Sequence, residues 1–130
     1  MTKTAEKTGH CLCGATSFFY DGVTRFMAHC HCESCRRATA SAFTSFLGVP
    51  DGHWRWTGQT PASYASSPGV TRSFCATCGS QMAYRADKFP GEIHFYAATL
   101  TDQSQYAPTV HVHSDEMVPW ISLADALPRH

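Results

Sequence analysis

Seven cysteines carry most of the chemistry that this 130-residue sequence can perform. They stand in three groups: Cys11-Leu12-Cys13, Cys30-His31-Cys32-Glu33-Ser34-Cys35 and Cys75-Ala76-Thr77-Cys78. Residues i and i+2 of an extended chain point to one face, so Cys11 with Cys13, and Cys30 with Cys32, can chelate one ion from a strand end. Cys75-x-x-Cys78 followed by Gly79 predicts a tight turn that presents both sulfurs, with Gly79 supplying the backbone freedom. Zinc suits such thiolate donors and takes four in a tetrahedron with arms of about 2.3 Å. Two of the pairs close one shell, while the central run offers three sulfurs within a short stretch. The simplest division is four plus three: Cys11, Cys13, Cys75 and Cys78 as a closed structural site, and Cys30, Cys32 and Cys35 as a site with one position open for water or substrate. Spacing leaves two alternatives. Cys30 or Cys35 can sit in the core as a small hydrophobe, or His29 or His31 can complete the triple and close both sites.

In order, these groups resemble the glutathione-dependent formaldehyde-activating enzyme family, whose domain is shared with centromere protein V. The residues that carry the resemblance are Gly9-His10-Cys11-Leu12-Cys13-Gly14-Ala15, Cys30 to Arg37 and Phe74-Cys75-Ala76-Thr77-Cys78-Gly79-Ser80, followed by Leu100-Thr101-Asp102, Pro108 with His111, and Met117-Val118-Pro119-Trp120. The match runs from about Gly9 to Pro128, with Ala40 standing where relatives often have glycine. The resemblance implies a mainly β fold, an antiparallel β-tent stapled by zinc. It implies a structural zinc on Cys11, Cys13, Cys75 and Cys78 and a catalytic zinc on Cys30, Cys32 and Cys35, hence two ions per chain. The activity it implies is that of a carbon–sulfur lyase on a thiol–aldehyde adduct such as S-hydroxymethylglutathione, formed from glutathione and formaldehyde. A non-catalytic zinc module for partner binding or metal storage is the alternative reading of the same residues.

Around the central triple, Arg36 and Arg37 are candidates to offset the excess negative charge or to bind a substrate carboxylate. In an extended stretch His31 points away from its neighbours' metal. His111 is a candidate proton shuttle or substrate donor near neutral pH, against the plainer reading of a polar-face histidine. Trp54, Trp56 and Trp120 read as core or rim aromatics.

The elements that must position these groups are short strands. Turn signals recur at Asp21-Gly22, Pro50-Asp51-Gly52, Thr57-Gly58, Ser67-Pro68-Gly69, Phe89-Pro90-Gly91 and Pro108, separated by aromatic and β-branched segments such as 16–20, 41–49, 53–56, 81–85 and 92–100. Val110 and Val112 alternate with His111 and His113, the period of a half-buried strand. Glu33 to Ala40 predicts about two turns of helix, and Ser122 to Leu127 one or two before Pro128. Residues 1–8 read as a flexible lead-in and 9–130 as one domain.

Composition narrows the partners. Formal net charge is zero and charged residues make up 15%, below the roughly 25% of an ordinary domain. No basic field exists to draw nucleic acid or anionic lipid, and low charge is compatible with a homodimer. An odd cysteine count and a polar N-terminus point to a reducing, cytoplasmic setting, where clustered thiols mean metal or catalysis before disulfides.

Overall fold

A computed structural model describes residues 7–130. Two sheets make up the molecule. Strands β1 (Thr8–His10), β2 (Ser17–Tyr20) and β5 (Trp54–Trp56) form a small sheet in the order β1-β2-β5. The large sheet has seven strands: β3 (Phe26–Cys30), β4 (Thr44–Pro50), β6 (Ala62–Ser67), β7 (Val70–Phe74), β8 (Gln81–Ala86), β9 (Glu92–Tyr96) and β10 (Val110–Val112). Their order is β10-β3-β4-β9-β8-β7-β6. The mainly β expectation holds, and neighbouring strands run antiparallel except that β10 lies parallel to β3. Of the expected lead-in, residues 1–6 lie outside the described residues, and Thr8 already opens β1.

Period-2 alternation gives the large sheet two buried faces. On one face Leu47 and Val49 of β4, Met82 of β8, and Ile93 and Phe95 of β9 pack against Phe18 and Tyr20 of the small sheet. Phe18 stacks on Phe95 with ring centroids 3.8 Å apart, and Trp54 and Trp56 meet Phe95 edge-on. These two tryptophans are therefore core aromatics, whereas Trp120 is 71% exposed.

The opposite face is curved around a cavity of about 500 Å³, to which Phe26, Ala28 and Cys30 of β3, Phe46 of β4, His94 of β9, Tyr84 of β8, and Val70 and Arg72 of β7 all contribute. Gly48 makes one wall possible, because a Cβ there would lie 2.2 Å from the Phe26 ring.

Helix α1 (Glu33–Thr39) occupies the predicted place. The second predicted helix, at 122–127, is absent, and this segment runs in irregular extended form. Its end is claimed by β10 instead: the His111 N–H donates to Pro128 O, and the His130 N–H donates to His111 O. Within the window, Leu123 O accepts from Arg129 and the Leu127 N–H donates to the Asp125 carboxylate, and a stretch this short nucleates a helix poorly by itself.

Candidate metal and substrate site

The seven thiols gather into two sets, Cys11–Cys13–Cys75–Cys78 and Cys30–Cys32–Cys35, each with its sulfurs within 4.8 Å of one another. All seven are free thiols. The first set joins the turn after β1 to the turn between β7 and β8, so it ties the small sheet to the large one. Cys11 Sγ lies 3.6 Å from Cys13 Sγ, which lies 3.8 Å from Cys75 Sγ. A tetrahedron with arms of about 2.3 Å places its corners about 3.8 Å apart, so these sulfurs already have the spacing that zinc requires. Backbone N–H groups of Thr16 and Cys78 point at Cys11 and Cys75 sulfurs (3.3 and 3.4 Å), which favours thiolates. The Ser80 hydroxyl draws the Cys78 thiol down to about 5. Gly79 turns with φ +80°, as its place after the second cysteine predicts.

The second set sits where β3 runs into α1. Cys30 ends the strand, and Cys32 caps the helix, its sulfur accepting from the Cys35 N–H at 3.3 Å. Cys35 lies in the first helical turn, 4.0 Å from Cys30 between sulfurs. All three line the cavity. Their donor set and spacing fit a zinc ion with three protein ligands.

Negative charge in this cluster settles on Cys35. Hydrogen bonds from the Cys30 and Cys32 thiols, and then Arg72, hold it far below the usual thiol range. Arg72 is buried, with Nη2 3.8 Å from Cys35 Sγ and 2.9 Å from Ser34 Oγ, Nη1 2.8 Å from Tyr96 Oη and Nε 3.2 Å from Ser66 Oγ. Sequence reasoning passed over it. The available signal was an arginine at an inward position of a strand, two residues from Val70.

The residues expected to assist the triple are elsewhere. Arg36 turns its Nε to His31 O, and Arg37 pairs with Glu33 in solvent; neither lines the cavity. His111 is fully buried, contrary to a polar-face residue, and faces away from the cavity because Val110 and Val112 face into it. Its Nε2 lies 3.0 Å from both Asp125 oxygens, and its Nδ1 lies 2.8 Å from His31 Nε2. Asp125 accepts from His111 Nε2–H, so His111 Nδ1 must accept from His31, a tautomer assigned by the network. His31 thus points away from the sulfurs, as extended geometry predicted.

A second polar group missed in the sequence faces the cavity from its far end. His94 Nε2 lies 2.6 Å from Glu92 Oε2, and the other Glu92 oxygen lies 2.9 Å from Arg25 Nη1. In β9 the pair Glu92–His94 obeys the i, i+2 rule that was applied only to cysteines. Burial pushes His94 below its usual range, against the pull of Glu92.

Comparison with known proteins agrees with this geometry. The family model described as glutathione-dependent formaldehyde-activating enzyme matches residues 6–116. The chain belongs to that family. The glutathione-dependent formaldehyde-activating family match covers both cysteine sets and stops before the 117–130 tail. Among curated proteins none matches the sequence. A crystal structure of a Rhodobacter sphaeroides protein superposes with a TM-score of 0.61 at 22% identity, covering 72% of this chain and 87% of that one, a likeness of fold. No helix of the described residues is long and apolar enough to cross a membrane.

Proposed function

We propose that the protein is a zinc-dependent carbon–sulfur lyase that makes and breaks a thiol–aldehyde adduct, of which glutathione with formaldehyde is the family's named pair. The observation that carries this reading is a set of three sulfurs on the wall of a cavity of about 500 Å³, with a buried arginine against one of them. Cys30, Cys32 and Cys35 would hold the ion, and Cys11, Cys13, Cys75 and Cys78 would hold a second, structural one. A zinc ion on three thiolates keeps a fourth position for an exogenous sulfur and lowers its pKa.

In the cleavage direction the C–S bond breaks with its electron pair on sulfur, the carbon–oxygen bond becomes the aldehyde, and the hydroxyl proton leaves through the open cavity. Addition is the reverse, and the atoms of thiol plus aldehyde equal those of the adduct. Arg72 offsets the charge of Cys35. It takes the place proposed for Arg36, and His111 has no duty at the cavity.

The test is exchange among glutathione, formaldehyde and their adduct, followed by NMR with zinc-replete protein, with other thiols and aldehydes in parallel. Acceleration above the uncatalysed rate that disappears in Cys35→Ser supports the reading. Rates equal to buffer with every pair contradict it and leave the non-catalytic zinc module.

A further inference from the structure

The cavity wall offers few charged groups to a tripeptide. Glutathione brings two carboxylates and an ammonium group, and such a ligand needs cations and an acid to meet them. Among the described residues that line the cavity there is no Asp or Glu. Its cations are Arg72, engaged by Ser34, Ser66, Tyr96 and Cys35, and Lys88, which lies over the Phe89 ring. His113 at the wall pairs with Glu116.

Apart from Ser34, Ser67 and His94, the remainder of the wall is aromatic, aliphatic or cysteine. Phe26 sits four residues before Cys30 on β3, roughly 13 Å along an extended strand. There Phe26, Tyr84 and Phe89 surround His94, with the Phe26 ring edge-on at 4.6 Å and the Tyr84 ring stacked at 5.4 Å. The polar group in this apolar end is held in one orientation. Glu92 accepts the Nε2–H, Arg25 fixes Glu92, and Nδ1 is left as an acceptor with no hydrogen-bond partner among the described residues. A buried Glu92–His94 pair, tied to the exposed Arg25, is costly where apolar residues would pack.

We propose that this end of the cavity is a subsite for a hydroxyaryl group, the ring lying among Phe26, Tyr84 and Phe89 and the hydroxyl donating to His94 Nδ1. Resting on the lyase reading, the substrate is then a ring-bearing thiol–aldehyde adduct with its sulfur at the cysteine end and its phenolic end at His94. A single neutral hydrogen bond discriminates by about five- to tenfold.

The subsite can be tested without turnover, by calorimetric titration of the zinc-replete protein with 4-propylphenol and with propylbenzene. The expected result is that 4-propylphenol binds about five- to tenfold tighter, and that His94→Phe removes the difference while still binding both. Should that variant not fold, the wild-type protein still decides the matter: the His94 Nδ1 nitrogen resonance shifts with 4-propylphenol and stays in place with propylbenzene. Equal affinities, or no binding of either compound with an unmoved resonance, overturn the subsite. Adduct exchange that is accelerated without phenol binding sinks the subsite alone, and phenol binding without any exchange sinks the lyase reading alone.

Discussion

The two cysteine sets use the same atoms for opposite ends. The four-sulfur set lies between the turn after β1 and the turn joining β7 to β8, with neutral partners, backbone N–H groups and Ser80, around it. Nothing larger than the ion has room among four converging thiols. The three-sulfur set lies at a strand-to-helix junction, opens on a cavity, and has a buried cation in contact with Cys35. On the proposed reading, ligand number and what stands behind the ligands, more than the cysteines themselves, separate a staple from a reaction centre.

The largest effect tests the staple. Cys75→Ser removes a fully buried sulfur of the set proposed to tie the sheets together through zinc, and structural zinc contributes on the order of 10 kcal/mol to folding small domains. The expected outcome is loss of the cooperative thermal transition, whereas Cys35→Ser keeps one. If Cys75→Ser melts like the wild type, the two sets are not different in kind.

Next in size is Arg72→Met, which strips the cation from beside Cys35 and leaves Ser34 and Tyr96 without a partner. Breaking a buried charge pair costs roughly 3–5 kcal/mol. Chemical denaturation should show such a loss, and in zinc-free protein the alkylation of Cys35 should require a higher pH than in wild type. An unchanged alkylation profile would detach Arg72 from the sulfur.

A smaller gain is expected at the end of the helix that carries Cys35. Ala40 closes α1 with φ 55°, a left-handed conformation that costs a non-glycine residue about 1 kcal/mol. Ala40→Gly should raise stability by about that amount in denaturant titration, without altering zinc content.

The smallest effect concerns the tail behind the three-sulfur strand. The His111 hydrogen bond holds the Asp125 carboxyl below its usual range. A depressed carboxyl contributes stability that is present above its unfolded value, near 4, and is lost as pH falls through the folded value. Proteolytic release of the tail should therefore rise in acid below pH 4 in the wild type. In Asp125→Asn it should be faster throughout and flat across that window.

The cysteine chemistry was legible because thiols are rare and their spacing encodes local geometry directly. CxC reads as a strand end and CxxC-Gly as a turn whatever the rest of the fold does. Arg72 and the Glu92–His94 pair were missed for the opposite reason: their meaning depends on which face of a strand is inward and on what the other strands bring there. Val110-His111-Val112-His113 shows the limit. Its period predicted a strand correctly, but alternation does not say which side is buried, and the structure places His111 inside and leaves both valines on the cavity wall. Antiparallel pairing was the natural expectation from hairpin-length turns, yet β10 reaches β3 after a long excursion and docks parallel. The tail is tied down from just beyond the predicted helix, where Pro128 and His130 pair with β10, a tertiary partner no local window contains.

The division of seven thiols into a closed set and an open set is the claim on which everything else stands, and metal counting tests it most directly. Zinc per folded chain, measured by elemental analysis in wild type and in Cys35→Ser, should fall from two to one. A value of one in both proteins would contradict the account, because the central sulfurs would then hold no ion of their own.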